Sequence, residues 1–231
     1  MRIVLLSDTH ERHRELDVPD ADLLLHAGDA TMNGKLDAIR DFDDWLASLP
    51  HRHKIFVAGN HDRTFETAPE KARPLIKHAT YLQDSGAGVD GIRIWGAPWQ
   101  PEFMSWAFNL ERGAPLREKW ALIPPDTDIL VTHGPPLGHG DRLARSDEPV
   151  GCEELALRIV ALDIRLHVFG HIHEGYGLTQ NALTLHANAS NCDLGYEATQ
   201  PPILLEWKGR GAVPVVLEGG NLAAAATRTR R

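Results

Sequence analysis

Lys54-Ile55-Phe56-Val57-Ala58-Gly59-Asn60-His61-Asp62 (residues 54–62) is an apolar run that stops at a glycine and at once turns polar. Lys54–Ala58 predicts a strand, and Gly59 permits a tight turn or a close backbone approach. The polar triplet then puts an amide oxygen, a titratable ring and a carboxylate at one sheet edge. In open α/β sheets that edge, beyond the carboxyl ends of the strands, is where ligands bind. Asn-His-Asp after glycine is also an ordinary helix N-cap, so the neighbouring segments must decide between the two.

Upstream, Ile3-Val4-Leu5-Leu6 reads as a strand buried on both faces, ending in Ser7-Asp8-Thr9-His10. Asp22–His26 is a second such strand, ending in Ala27-Gly28-Asp29. Between it and the opening stretch, Leu36, Ile39, Phe42, Trp45, Leu46 and Leu49 recur at helical spacing, predicting an amphipathic helix over Lys35–Leu49 that Pro50 ends. Downstream, Pro69–His78 predicts a helix with a kink or break at Pro74, Tyr81-Leu82 a short strand and Gly91–Gly96 another strand. Trp95–Trp106 reads as a long aromatic loop over a site or as a flap on the core, and Leu116–Leu122 as a short helix. Asp128–Thr132 is a buried strand ending in His133-Gly134-Pro135-Pro136. The helix Cys152–Leu162 then leads to the strand Leu166–Phe169, which ends in Gly170-His171-Ile172-His173. Tyr176–Leu178 pairs with Leu183–His186, and Ile203–Trp207 with Val213–Leu217. The order is that of a layered α/β domain over 1–218, with 219–231 a flexible C-terminal tail whose Ala223–Arg231 end is a frayed helix or a disordered basic segment.

The totals agree with a single globular domain: 231 residues, 42% hydrophobic and 24% charged. A formal net charge of −8 weighs against stable nucleic-acid binding and suits a site for cations. Cys152 and Cys192 form no C-x-x-C pair and read as reduced thiols of a cytoplasmic protein, one bridge between them staying open. The first strand begins at Arg2, leaving no room for a signal peptide, and no apolar run reaches membrane-spanning length.

Five strand ends now share one signature: Asp8-Thr9-His10, Gly28-Asp29, Asn60-His61-Asp62, His133 and His171-Ile172-His173. Each alone has a bland reading as a turn, a cap or a rigid Pro-Pro corner. Only His171 and His173 carry geometric weight by themselves, because residues i and i+2 on an extended segment share a face. Their joint occurrence, in order, each after a buried strand, offers carboxylates, an amide oxygen and imidazoles to two divalent cations. A mixed N/O set suits Mn, Fe, Zn or Co better than Ca or Mg alone.

These blocks (D-x-H, G-D, G-N-H-D, a later H and G-H-x-H) resemble the calcineurin-like metallophosphoesterases. The resemblance implies an α/β four-layer sandwich of two mixed β-sheets flanked by helices. It implies one metal on Asp8, His10 and His173, a second on Asn60, His133 and His171, and Asp29 bridging them. It implies attack on phosphorus by a hydroxide shared between the metals, with His61 as the general acid that protonates the leaving oxygen. Asp62 either orients His61 as a catalytic partner or caps the following helix. The stretches Trp95–Pro101, Phe108–Leu110, Thr132–Gly138, Gly170–Gly177 and Asn188–Ser190 are similar to the brain-type metallophosphodiesterase branch. That closer likeness implies hydrolysis of small phosphodiesters, cyclic nucleotides being the candidate class, with Mn as the favoured metal. The alternatives are a phosphomonoesterase or phosphoprotein phosphatase, and a non-catalytic scaffold. Expected partners are a small phosphodiester or nucleotide, no stable nucleic acid and no membrane, with a homo-oligomer left open. Asn188, Glu174, Tyr176 and the Trp95–Trp106 loop are candidate pocket walls; His26 and the remaining histidines read as structural.

Overall fold

The computed structural model describes residues 1–222. The first half comprises β1 (Arg2–Leu6), β2 (Leu23–His26), α1 (Leu36–Ser48), β3 (His53–Phe56), the single turns α2 (Thr64–Thr67) and α3 (Pro69–Ala72), and β4 (Thr80–Tyr81). Then follow β5 (Ser85–Val89), β6 (Ile92–Ala97), β7 (Gln100–Pro101), β8 (Asn109–Leu110), α4 (Ala114–Ala121) and β9 (Ile129–Thr132). The chain goes on through α5 (Glu153–Val160), β10 (Leu166–Phe169), β11 (Gly177–Gln180), β12 (Leu185–Asn188), β13 (Ile203–Glu206) and β14 (Val215–Glu218).

Two mixed six-stranded sheets result, ordered β14-β13-β1-β2-β3-β4 and β11-β12-β10-β9-β6-β5. In the first, β1 to β4 are parallel, β13 runs antiparallel to β1, and β14 runs antiparallel to β13. In the second, β12, β10, β9 and β6 are parallel, with β11 and β5 antiparallel at the edges. Alternation along the strands builds the layers. Ile3, Leu5, Leu23, Leu25 and Ile55 face inward to meet Ile94, Ile129, Val131, Leu166 and Val168 of the other sheet. Val4, Leu6, Leu24 and Phe56 face outward onto Ile39, Phe42, Trp45 and Leu46 of α1. Leu130 packs outward with Leu116 and Trp120 of α4 and Leu155 and Ile159 of α5. The expected sandwich of helix, sheet, sheet and helix is therefore present.

Differences from the sequence reading have local causes. The helix expected over Pro69–His78 is one turn, α3, followed by a tighter turn at Arg73–Leu75. Pro74 lacks the amide a continuing helix needs, and Asp43 captures the backbone N–H groups of Lys77 and His78 at 2.8 and 2.9 Å. β5, with glycines at two of five positions, carries no strand pattern, yet it pairs with β6 across a turn where Asp90 and Gly91 take φ of 47° and 84°. At the start of the expected tail, Leu178 N–H donates to Asn221 O at 3.2 Å, and Leu222 bridges Leu178. The expectation for Ala223–Arg231 falls outside the described residues. Cys152 and Cys192 are both free and buried. Cys152 instead caps α5, its Sγ accepting from Leu155 N–H at 3.4 Å. No helix among the described residues is long and apolar enough to cross a membrane.

Candidate metal centre

Both sheets end their parallel strands on one side, and there they are stitched together. Ser7, just past β1, bridges Ser190, just past β12. Asn191 N–H donates to Ser7 O at 2.8 Å and its Oδ1 accepts from Ser7 N–H at 3.3 Å. Beyond this seam the backbone leaves extended geometry sharply. Asp8, His10, Asp29 and His171 have φ of 51°, 43°, 53° and 68°. Left-handed backbone at non-glycine residues costs about 1 kcal/mol or more each and collects at functional sites. Here it turns each side chain off its strand end toward one point.

Among the described residues, three overlapping donor groups form at that point, and two of them consist wholly of sequence-predicted ligands. The first holds Asp8, His10 and His173, and the second Asp29, His133 and His171, each with ligand atoms within 4.8 Å of one another. Asp29 joins them. Its Oδ1 accepts from His61 N–H at 2.7 Å, which leaves Oδ2 at 3.8 Å from His10 Nε2 and 3.4 Å from His133 Nε2. Asn60 Oδ1 lies 2.8 Å from His133 Nε2. The structure thus gathers every sequence-predicted ligand at one place, with one oxygen between the two groups.

The donor chemistry fits cations. His133 Nδ1–H donates to Ala27 O at 3.0 Å, and His173 Nδ1–H to Asp193 O at 2.8 Å. In the neutral rings these bonds turn both Nε2 lone pairs inward. There His133 Nε2 meets the oxygens of Asn60 and Asp29, and His173 Nε2 meets His10 Nε2 at 3.2 Å and Asp8 Oδ1 at 3.4 Å. Converging lone pairs repel unless a positive charge sits among them. Without a cation, a proton on each ring takes that place. Burial alone would push His133 and His173 down, yet the carboxylates of Asp29 and Asp8 beside them raise each to about 9. Burial likewise opposes ionisation of Asp8 and Asp29, but the facing imidazoles hold both below the usual carboxylate range. His10 and His171 are driven by burial to about 4 and about 3, leaving neutral rings suited to ligation.

His61 stands beside the first group, within reach of His10 and Asp29. Its Nδ1–H donates to Met32 O at 2.8 Å, so Nε2 is the ring atom left for other work. Asp62 corrects the sequence reading, because its carboxylate has no bond to His61 and caps no helix. It accepts from Gly59 N–H at 2.9 Å, Ala30 N–H at 3.2 Å, and Thr31 N–H and Oγ1 at 2.9 and 2.8 Å. Asp62 is therefore a brace between the loops that carry Asp29 and Asn60. Burial, then the charge of Asp29, raises it to about 6. His26 packs in the sheet as expected; its ring bonds Thr9 Oγ1 at 3.0 Å and Gly28 N–H at 3.3 Å, supporting both neighbouring turns.

Ser190 went unnoticed as a single residue in the sequence: its Oγ donates to Asp8 Oδ2 at 2.9 Å and aims the other oxygen at His173. The only hint lay in the stretch Asn188-Ala189-Ser190. Asn188 is no pocket wall but a tie, its Nδ2 donating to Gly140 O and Ile172 O. Tyr176 likewise bonds Pro201 O, at 2.8 Å. Glu174 does line a cleft of about 310 Å³ with His173, Asp193, Leu194, Gly195 and Gln200. Glycine is required at Gly170, where a Cβ would collide with Asp8 Oδ2 and Ser7 Oγ. Gly170→Ala should cost about 1–3 kcal/mol of stability as the core shifts and displace Asp8. Thermal unfolding and metal analysis check this; an unchanged midpoint with full metal binding would show that the site tolerates the methyl group.

Comparison with known proteins places this geometry. A family model described as calcineurin-like phosphoesterase matches residues 1–175. Human metallophosphoesterase domain-containing protein 1 is 43% identical over 229 residues, covering 89% of this chain and 70% of the human protein. A UPF0046 protein of Caenorhabditis elegans is 38% identical over 228 residues, covering 89% of this chain and 80% of its own. The Haemophilus influenzae NAD nucleotidase structure shares the fold, with a TM-score of 0.52 at 14% identity over 95% of this chain and 49% of that one. A family match that spans every strand end of the centre, with relatives this similar along nearly the whole chain, leaves one assignment: the chain belongs to the calcineurin-like phosphoesterase family.

Proposed function

We propose that this phosphoesterase is a dinuclear-metal-dependent phosphodiesterase acting on small diesters, with cyclic nucleotides as the substrate class. The observation that supports it most is the single Asp29 oxygen between two donor groups, beside an imidazole whose second nitrogen is unengaged. Asp8, His10 and His173 would hold one cation, and Asn60, His133 and His171 the other, with Asp29 shared. Manganese is the metal we favour for this N/O set. Bound divalent cations supply Lewis acidity at the phosphoryl oxygens and a nucleophilic water near neutral pH.

The chain's own groups do the rest. Asp8 and Asp29 bring only two negative charges to the centre, so with two dications held it would stay net positive and suit an anionic phosphate. His61, anchored through Nδ1–H on Met32 O, would use its unengaged Nε2 to pass a proton to the leaving oxygen. The organic part of the ester meets aromatic faces. Phe103 lies 6.3 Å from His171, and Tyr196 lies 4.8 Å from His10 by ring centroids. Two guanidiniums on flanking loops are already engaged, Arg12 with Glu15 and Glu197, and Arg63 with Ser105 O and the Trp106 face. An uncommitted arginine fork is what recognition of a phosphomonoester dianion uses best. Aromatic walls around a positive centre favour a diester with a flat substituent.

A substrate panel tests the reading. After chelation and reloading with Mn, the enzyme should hydrolyse bis(p-nitrophenyl) phosphate and at least one 2′,3′- or 3′,5′-cyclic nucleotide faster than p-nitrophenyl phosphate. Turnover of the monoester alone would replace the diesterase with a phosphomonoesterase. Fewer than one metal per chain with no rescue by Mn would point to a scaffold.

A further inference from the structure

We propose that Trp106 is a positioning residue for the proton donor: its indole clamps the His61 ring so that Nε2, and not a ring carbon, faces the leaving group. The inference rests on the role given to His61 above.

The His61 and Trp106 rings lie 4.1 Å apart between centroids and 24° from parallel, a stacked pair. His10 meets the His61 ring edge-on at 4.7 Å and 80°. Along its own rim the imidazole has a single anchor, the Nδ1–H bond to Met32 O at 2.8 Å. Rotation by half a turn about the Cβ–Cγ bond would break that bond. It would also exchange Nε2 for Cε1, putting a carbon where the proton donor must be. A single hydrogen bond is a weak brake on that rotation; a broad apolar face over the ring blocks the swing and helps shield the Nδ1–H bond.

The clamp is itself held. Ala107 N–H donates to Asn60 O at 3.3 Å and Phe108 N–H to Glu66 Oε1 at 2.9 Å, fixing the backbone on the far side of Trp106. Ala107 and Phe108 are buried in the outer core of the first sheet. On the near side, Asn109 Nδ2 donates to Phe103 O and Met104 O at 3.0 and 2.9 Å, closing the loop tip. The Arg63 guanidinium sits over the indole at 5.6 Å. The part of the aromatic stretch nearest the centre is therefore fixed, and Trp106 is the one side chain in it that lies flat on His61.

The test compares Trp106→Ala and Trp106→Phe with wild type on p-nitrophenyl and phenyl esters of the same phosphate, in whichever ester class the wild type turns over. A misplaced donor penalises the leaving group that needs a proton. Trp106→Ala should lose about tenfold on the phenyl ester, part of the 10²–10⁴ that general acid catalysis supplies, and about twofold or less on the p-nitrophenyl ester, with metal content unchanged. Trp106→Phe, which restores a flat face, should recover most of the phenyl-ester rate. Independently of turnover, the His61 Nδ1–H resonance in ¹⁵N-histidine-labelled protein, assigned by its loss in His61→Ala, should be protected from solvent exchange in wild type and Trp106→Phe and lost in Trp106→Ala. Equal losses on the two esters, or an Nδ1–H that stays protected in Trp106→Ala, would overturn the proposal. A wild type that hydrolyses neither ester would refute the functional reading instead, and the resonance alone would then decide whether Trp106 holds the ring.

Discussion

Asp29→Asn should lower turnover by about a thousandfold or more, the scale of the several kcal/mol that metal-centred charge stabilisation contributes, and should leave less than one Mn per chain after gel filtration. The side chain stays the same size, so the amide oxygen can still accept from His61 N–H as Asp29 Oδ1 does at 2.7 Å. What changes is the other position. Oδ2, which lies 3.4 Å from His133 Nε2 and 3.8 Å from His10 Nε2, becomes an NH₂ group or a neutral oxygen. Two dications in one cavity repel, and the shared carboxylate charge is what offsets this. Elemental analysis and a Mn titration of activity give the readout. An Asn variant with two Mn per chain and activity within tenfold of wild type would remove Asp29 from the bridging role.

His61→Ala should behave in the opposite way. Metal content should stay at the wild-type level, while kcat on a substrate with a poor leaving group falls by about 10²–10⁴. A good leaving group departs without a proton, so the p-nitrophenyl ester should lose far less. The separation rests on His61 Nδ1 being occupied by Met32 O and on two of the three donor groups forming without His61. Because the His10, Asp29 and His61 donor atoms also lie within 4.8 Å of one another, the metal assay is the discriminating half. Loss of a metal in His61→Ala, or equal rate losses on good and poor leaving groups, would turn His61 from donor into ligand.

Much of this centre was legible in the one-dimensional order of residues. A strand buried on both faces announces itself as an apolar run, and the residue types that follow it are fixed by the chain, so Asp8, His10, Asp29, Asn60, His133, His171 and His173 stand out in the sequence as strand-end donors. The alternation of Ile3 and Leu5 against Val4 and Leu6 likewise foretells which faces meet the second sheet and which meet α1. β5 was hidden because glycine has no side chain to show a pattern, and its place comes from pairing with β6.

The role of Asp62 could not be read locally. Asn-His-Asp suggests a carboxylate next to an imidazole, but the nearest unsatisfied N–H groups belong to Gly59, Ala30 and Thr31, and Asp62 takes those instead. Ser190 on Asp8 and Trp106 on His61 are meetings of segments far apart in sequence, and no periodicity encodes them. The sequence by itself determined which chemical groups stand at the strand ends and in what order. Only the tertiary structure decided that they face one another, because this depends on how two sheets pack, on the seam between Ser7 and Ser190, and on backbone forced into left-handed φ at Asp8, His10, Asp29 and His171 by neighbours that the chain reaches only when folded.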